Sequence, residues 1–413
     1  MDDHELDELA KELEADHSEL FKYIDKEVEK KTTTFNVDDY TKITKVGQGT
    51  FGEVFKVQHK RSKEVFALKR LKMEKETEGF PVTALREVRI LQSLRHENIV
   101  GLRGICHRRS NSSSNYRYEF FLLFDFCDHD LAGLLSQKVE INLSVKKGIA
   151  KQLLTGIGFL HSHNILHRDL KASNILIDRS GHLKIADFGL ARLTVTPWRS
   201  GRRAHYTAMV VTLWYRPPEI LLMDRSYGKP VDLWGAGCII AELWTRCPLM
   251  QGDNEMNQLQ LIINLCGSFT PSVWPGVEHL EVFKKTRFPM DTRRCLREKL
   301  SASIPISTCS SAIDLIDKLL VCDPSGRLTA EQALGHGFFK EDPPAGDLSC
   351  LSQNGVSFLE YLSSNRARQQ YRGGQHRGAA VRAVPGYRTG AGIPAVAAVP
   401  NQVENAISFD RVY

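Results

Sequence analysis

His167-Arg168-Asp169-Leu170-Lys171-Ala172-Ser173-Asn174, with Asp187-Phe188-Gly189 a short step further on, is the stretch on which the reading of this chain turns. Asp169 is a candidate for orienting a hydroxyl, and Asn174 and Asp187 for holding magnesium on a nucleotide. Carboxylate and amide oxygens are the ligands a small, hard cation takes. A lone His-Arg-Asp tripeptide carries little information. Its spacing to Asn174, followed by Asp187-Phe188-Gly189 and then Pro217-Pro218-Glu219, is far more specific.

The chain has 413 residues, enough for a two-lobed enzyme with tails. Hydrophobic residues make up 42% and charged residues 25%, which supports a sizeable core and excludes wholesale disorder. A net charge of +6 fits nucleotides or acidic partners without marking a nucleic-acid binder. The nine cysteines include no Cys-x-x-Cys pair, which predicts reduced thiols in a cytosolic or nuclear setting. The chain has no signal-peptide core and no apolar run long enough to span a bilayer, so a soluble protein without a membrane partner is expected.

Outward from the quoted stretch, the pattern divides the chain. Residues 1–39 read as an acidic extension, with Leu6, Leu9, Leu13, Leu20 and Ile24 at helical spacing. From Tyr40 the residues alternate as antiparallel strands do. Within that region lies Val46-Gly47-Gln48-Gly49-Thr50-Phe51-Gly52-Glu53-Val54. Glycines at this spacing let backbone amides approach phosphate oxygens, and a strand that continues past the third glycine argues against a dinucleotide loop. Ala67-Leu68-Lys69 puts a lysine into an apolar strand, which is costly unless it is paired. The expected partner is Glu87, on a helix over roughly Pro81 to Leu94. Residues His107 to Tyr118 read as an exposed polar loop. Phe120 to Phe124 reads as a strand, and Ile149 to His161 as a helix leading into the His-Arg-Asp segment. Leu193 to Ala208 reads as a mobile loop, and Val231-Asp232-Leu233-Trp234-Gly235-Ala236-Gly237 opens a buried helix. Residues 340–413 read as a flexible tail, basic from Arg366 onward, suited to RNA or an acidic protein surface or to no partner at all.

These motifs together resemble the cyclin-dependent kinases from about Tyr40 to Phe339. Pro81-Val82-Thr83-Ala84-Leu85-Arg86-Glu87 matches the family's cyclin-contacting helix, and Val210-Val211-Thr212-Leu213-Trp214-Tyr215-Arg216-Pro217-Pro218-Glu219 matches the segment after its activation loop. The similarity is strongest to the transcriptional members. The resemblance implies an α+β, bilobal protein kinase fold: a small antiparallel β lobe over residues 40–124, a hinge over 125–130 and a large, mainly helical lobe over 131–339. It implies transfer of the ATP γ-phosphoryl group, with Mg2+, to Ser or Thr hydroxyls. Asp169, Lys171 and Asn174 are then catalytic, and Asn174 and Asp187 hold the metal. Residues 46–54, Ala67, Lys69, Glu87, Asp187 and the hinge residues Asp125, Phe126 and Cys127 bind ATP.

By the same resemblance, Thr207 is the activating phosphosite, and Arg86, Arg168 and Arg192 receive its phosphate. Val211 and Arg216 select proline after the target residue. Glu219 and Arg327 form a structural ion pair. The implied partner is a T-type cyclin, or alternatively cyclin K. The implied substrates are the C-terminal repeats of RNA polymerase II and elongation factors, and the implied compartment is the nucleus. Two departures from the family stand out. Thr50-Phe51 lacks the tyrosine that receives an inhibitory phosphate in cell-cycle members, and Ala208-Met209 replaces polar and basic residues. Other readings are a different cyclin-dependent kinase, an RNA-binding adaptor built on the tail, or a scaffold pseudokinase. The presence of Lys69, Asp169 and Asp187 argues against the last.

Overall fold

The computed structural model describes residues 34–49, 52–71, 82–112, 115–137, 139–194 and 212–352. The expectations for the acidic helix, the 195–208 loop, Thr50, Phe51, Thr207, Val211 and the 366–413 tail lie outside the described residues. So do the side chains of Gln48, Gly49 and Arg86.

The N-terminal part is a six-stranded sheet: β1 (Thr34–Asn36), β2 (Tyr40–Gly49), β3 (Gly52–His59), β4 (Val65–Leu71), β5 (Leu102–Ser112) and β6 (Asn115–Asp125), in the order β1-β5-β6-β4-β3-β2. Only the short β1–β5 pair is parallel. Helix α1 (Val82–Ser93) packs Ala84, Val88, Ile90 and Leu91 into the core shared with Val46, Val54 and Ala67 on the sheet. The opposite sheet face is closed by Val37 and Tyr40 against Val57, Leu68, Phe121 and Leu123. Such period-two division of one strand between two apolar faces is what the sequence alternation encodes.

The polar run from His107 to Tyr118 is not a loop. Strands β5 and β6 stay paired out to Ser112 opposite Asn115, so most of it is a β-hairpin. Backbone hydrogen bonds propagate an antiparallel ladder whatever the side chains, and polar composition alone misleads there.

After Asp125 the chain turns helical. Strand β7 (His129–Asp130) leads to α2 (Leu131–Ser136), where Asp130 caps the helix by accepting from the Gly133 amide. Helix α3 (Leu143–Ser162) is followed by β8 (Ile165–Leu166), β9 (Ile175–Ile177), β10 (Leu183–Ile185) and β11 (Arg192–Leu193). Then come α4 (Pro218–Leu221), α5 (Pro230–Thr245), α6 (Glu255–Cys266), α7 (Glu281–Lys285), α8 (Leu296–Ser301), α9 (Ile306–Leu319), α10 (Ala330–Leu334) and α11 (Ser349–Ser352). Helix α5 is buried on nearly every side from Val231 to Leu243, as the apolar run there predicts.

The packed unit reaches past both ends of residues 40–339. Thr34–Asn36 joins the sheet edge, and residues 340–352 strap onto α3. Lys147 Nζ donates to the Glu341 carbonyl at 2.6 Å, and Ser144 Oγ to the Pro344 carbonyl at 2.7 Å. Leu348 and Leu351 are buried. A side chain at Gly148 would place Cβ 2.2 Å from the Gly346 carbonyl oxygen, so glycine is required where the strap crosses.

Candidate active site

The two parts of the molecule are tied together beside β10. Val100 N donates to the Ile185 carbonyl at 3.0 Å, and Ile185 N to the Asn98 carbonyl at 2.8 Å. That bridge sets where Asp187 emerges. Lys69, held on β4 between Val54 of β3 and Leu122 of β6, reaches across to meet it. Lys69 Nζ lies 3.0 Å from Glu87 Oε1 and 3.2 Å from Asp187 Oδ1, and it is fully buried. Burial alone would lower the lysine pKa. The Asp187 charge, then that of Glu87, holds it above the ordinary lysine value, so Lys69 keeps its charge. Glu87 is pushed toward its neutral form: burial raises its carboxyl pKa above the ordinary value, with the Lys69 charge opposing that and the Asp187 charge adding to it.

The His167–Asn174 segment is fastened from below by Asp232 at the start of α5. Its carboxylate accepts from the backbone amides of His167 (3.0 Å) and Arg168 (2.9 Å) and contacts His161 Nε2 at 2.9 Å. Burial would raise the Asp232 pKa, but these hydrogen bonds, led by that from His161, hold it below the usual carboxylate value. The backbone of Arg168 is left-handed (φ 65°), as is that of Asp187 (φ 65°). Non-glycine residues hold that conformation where surrounding structure enforces it, often at functional sites.

Within this frame, Asp169 is the hub. Its Oδ1 accepts from Thr212 Oγ1 (2.8 Å) and Thr212 N (3.1 Å). Its Oδ2 accepts from Lys171 Nζ (2.8 Å) and Asn174 Nδ2 (3.2 Å). Asn174 Nδ2 also donates to the Asp169 carbonyl at 2.8 Å, which turns Asn174 Oδ1 the other way. That oxygen is buried and has no hydrogen-bond partner. A buried acceptor without a donor is costly, and a cation is the partner that would satisfy it. The residues present therefore fit a divalent metal.

The remaining expected site residues divide. Val46, Val54, Ala67 and Cys127 are buried together in the main core, and Phe126 lies half-buried with Lys56 Nζ 4.7 Å from its ring centre. Gly52 is obligatory: its φ is +148°, and a Cβ there would stand 1.8 Å from the Arg70 carbonyl oxygen. Gly49 pairs with Gly52 across the hairpin, and Gly47 with Val54. Glu53 is turned away from this group, since strand residues alternate faces. It pairs with Lys45 (2.6 Å) and Arg70 (3.5 Å) instead of approaching Lys69. The Asp125 amide donates to the Gly101 carbonyl at 3.1 Å, and its carboxylate accepts from Arg103 Nε at 2.5 Å.

Arg168 is buried and donates to the Leu190 carbonyl (2.7 Å) and Tyr227 Oη (2.8 Å). Arg192 is half-buried on β11. Arg216 pairs with Glu255 at 2.6 Å. Arg327 makes the expected pair with Glu219 through two bonds, 2.8 and 3.1 Å, with its guanidinium 5.1 Å from the Trp234 ring centre. Thr212 and Asp232 are the residues whose positioning work went unassigned in the sequence reading. The signal for Asp232 was present: a carboxylate inside the run Val231–Gly237 cannot stay buried without donors.

A protein kinase domain model matches residues 40–339. Cyclin-dependent kinase 9 of Xenopus tropicalis is 50% identical over 338 residues, covering 80% of this chain and 89% of that protein. The proteins of the same name from Danio rerio and Homo sapiens are 51% and 50% identical over 335 and 332 residues, each covering 80% of this chain and 88% of the relative. The chain belongs to the protein kinase family and, within it, to the cyclin-dependent kinases, similar to cyclin-dependent kinase 9. It is an ATP-dependent serine/threonine protein kinase whose family uses ATP with a divalent metal. Among the described residues no helix is long and apolar enough to cross a membrane.

Proposed function

We propose that this kinase is cyclin-dependent and proline-directed, and that it phosphorylates the C-terminal repeats of RNA polymerase II and elongation factors in the nucleus. A T-type cyclin is the proposed partner. The reading is supported by the likeness to cyclin-dependent kinase 9 and by the match of Val211 and Arg216 to the positions that select proline in the family.

Asp169 takes up the proton of the substrate hydroxyl. Thr212 and Asn174 fix the orientation of its carboxylate, and Lys171 places a positive charge beside the group being transferred. Lys69, steadied by Glu87, grips the α and β phosphates of ATP. Asn174 Oδ1 and Asp187 would hold Mg2+, which supplies charge neutralisation to the phosphate oxygens. Such a reaction needs positioning and electrostatics more than covalent help. The observation that carries the assignment is the orphaned, buried Asn174 Oδ1, on a residue whose carbonyl accepts from the amide of Ala186, the neighbour of the lysine-bound Asp187. Phosphorylated Thr207 would recruit Arg86, Arg168 and Arg192, because guanidinium forks suit phosphate oxygens.

The test is reconstitution with purified T-type cyclin or cyclin K, followed by assay on polymerase repeat peptides and on peptides whose proline after the target serine is replaced. Activation by the T-type cyclin, with transfer confined to Ser-Pro or Thr-Pro, is expected. Equal rates on the proline-free peptides, or no response to the T-type cyclin, would contradict it. The Thr207→Ala variant with cyclin present is expected to lose most activity.

A further inference from the structure

Arg246 follows the last residue of α5 and has a left-handed backbone, with φ 61°. Helices that end in this conformation ordinarily place glycine or asparagine there, so an arginine bears strain that its side chain must offset. Arg246 Nη2 donates to the Val139 carbonyl at 2.7 Å, in the segment that leads into α3. Its Nη1 is buried and has no hydrogen-bond partner. Lys146, near the start of α3, places its Nζ 4.8 Å from the ring centre of Trp244, which stands at the end of α5 just before Arg246. Two cations therefore come together where the start of α3 meets the end of α5.

Lys146, Trp244 and Arg246 are all half-buried. Among the described residues neither cation forms an ion pair: the ammonium has only the indole face, and the guanidinium only the Val139 carbonyl. Burial, then the Arg246 charge, lowers the Lys146 pKa below the ordinary lysine value, with the Cys309 thiol alone opposing them. The carbonyl end of α5 contributes about half a unit of negative charge, which leaves the pair well over one unit positive.

We propose that Lys146 and Arg246 form a binding site for a phosphate dianion, either free or carried as a monoester. Arg246 Nη1 donates to one phosphate oxygen and the Lys146 ammonium to another. The ligand thus supplies the acceptor that Nη1 lacks and the countercharge that both side chains lack. Two positive charges match a dianion better than a single carboxylate. The site lies roughly 20 Å along α5 from Asp232, which fastens the His167–Asn174 segment, so it is separate from the ATP cleft. It goes beyond the kinase reaction and does not depend on which substrate the kinase takes.

The experiment uses the full-length protein with its lysines reductively dimethylated by isotopically labelled formaldehyde and its cleft filled by a non-hydrolysable ATP analogue. Nuclear magnetic resonance follows the Lys146 methyl signal, assigned by its loss in Lys146→Arg. Inorganic phosphate and a short phosphoserine peptide are titrated separately, against sodium chloride at matched ionic strength. A saturable shift of the Lys146 signal is expected, together with a rise of its titration midpoint toward the ordinary lysine value. In Arg246→Gln the affinity should fall at least about tenfold, the worth of one charge-assisted hydrogen bond. Tighter binding of the peptide supports a phosphorylated side chain as the ligand, and tighter binding of inorganic phosphate supports the free ion. A Lys146 signal that moves no more with either phosphate probe than with chloride overturns the proposal, as does unchanged affinity in Arg246→Gln. The wild-type titration decides on its own should that variant fail to fold.

Discussion

Lys69 and Glu87 meet at 3.0 Å with both side chains buried, so the strand lysine is anchored to helix α1 as well as to Asp187. Removing one partner of a buried pair leaves an uncompensated charge, which costs about 3–5 kcal/mol. Lys69→Met strands two carboxylates and should lower stability by that order as well as abolish phosphoryl transfer. Adding Glu87→Gln should return part of the stability and none of the activity. Chemical denaturation of the single and double variants, treated as a mutant cycle, measures the coupling.

Thr212 holds Asp169 Oδ1 through both its hydroxyl and its amide. Its hydroxyl also accepts from Lys171 Nζ at 3.1 Å. Thr212→Val keeps the shape and removes the hydroxyl. The expected outcome is a fall in kcat on the order of 10²-fold with KM for ATP little changed, because misplacement of a reacting group by even 1 Å costs that much. Thr212→Ser should retain most activity. Steady-state kinetics of the two variants separates orientation from nucleotide binding.

Glu219 and Arg327 lie buried in the large lobe, remote from the Lys69 cluster in sequence but at the end of the segment that begins with Thr212. Arg327→Ala also loses the stacking on Trp234 and the bonds to the Val321 and Pro230 carbonyls. A loss of about 3–5 kcal/mol is expected. Glu219→Gln should cost less, since an amide oxygen still accepts one guanidinium bond. Thermal and denaturant unfolding give the ranking.

Glu242 on α5 carries a pH prediction. Burial raises its pKa to about 8, only partly offset by a hydrogen bond with Tyr215. The unfolded carboxyl titrates near its ordinary value, about 4.3. Between those values the folded chain keeps a proton that the unfolded chain has released. Stability therefore falls as pH rises through that window, by about 1.4 kcal/mol per pH unit, and levels off above pH 8 or so. In Glu242→Gln that part of the slope should vanish. Denaturant midpoints of both proteins across pH 6 to 9 provide the comparison.

The sequence was most legible where chemistry demands fixed residue types at fixed spacing. Lys69 meets Glu87 and Asp187, Asp169 meets Asn174, and the Glu219–Arg327 pair is present. It was less legible where backbone decides. The His107–Tyr118 run looked like a loop because its residues are polar, yet a ladder continues through it. Glu53 shares a motif with Val54 but faces the other side of the strand, paired with Lys45. The run Val231–Gly237 shows that Asp232 needs donors, but not that they are the amides of His167 and Arg168, far off in sequence.

Asp169, oriented by Thr212, Lys171 and Asn174, is the proposed carrier of phosphoryl transfer. Asp169→Asn tests it most directly, assayed with the activating cyclin bound and radiolabelled ATP on a Ser-Pro peptide. Transfer is expected to drop at least about 10²-fold while the thermal midpoint and cyclin binding stay close to wild type. Transfer within a few fold of wild type in a correctly folded Asp169→Asn protein would contradict it.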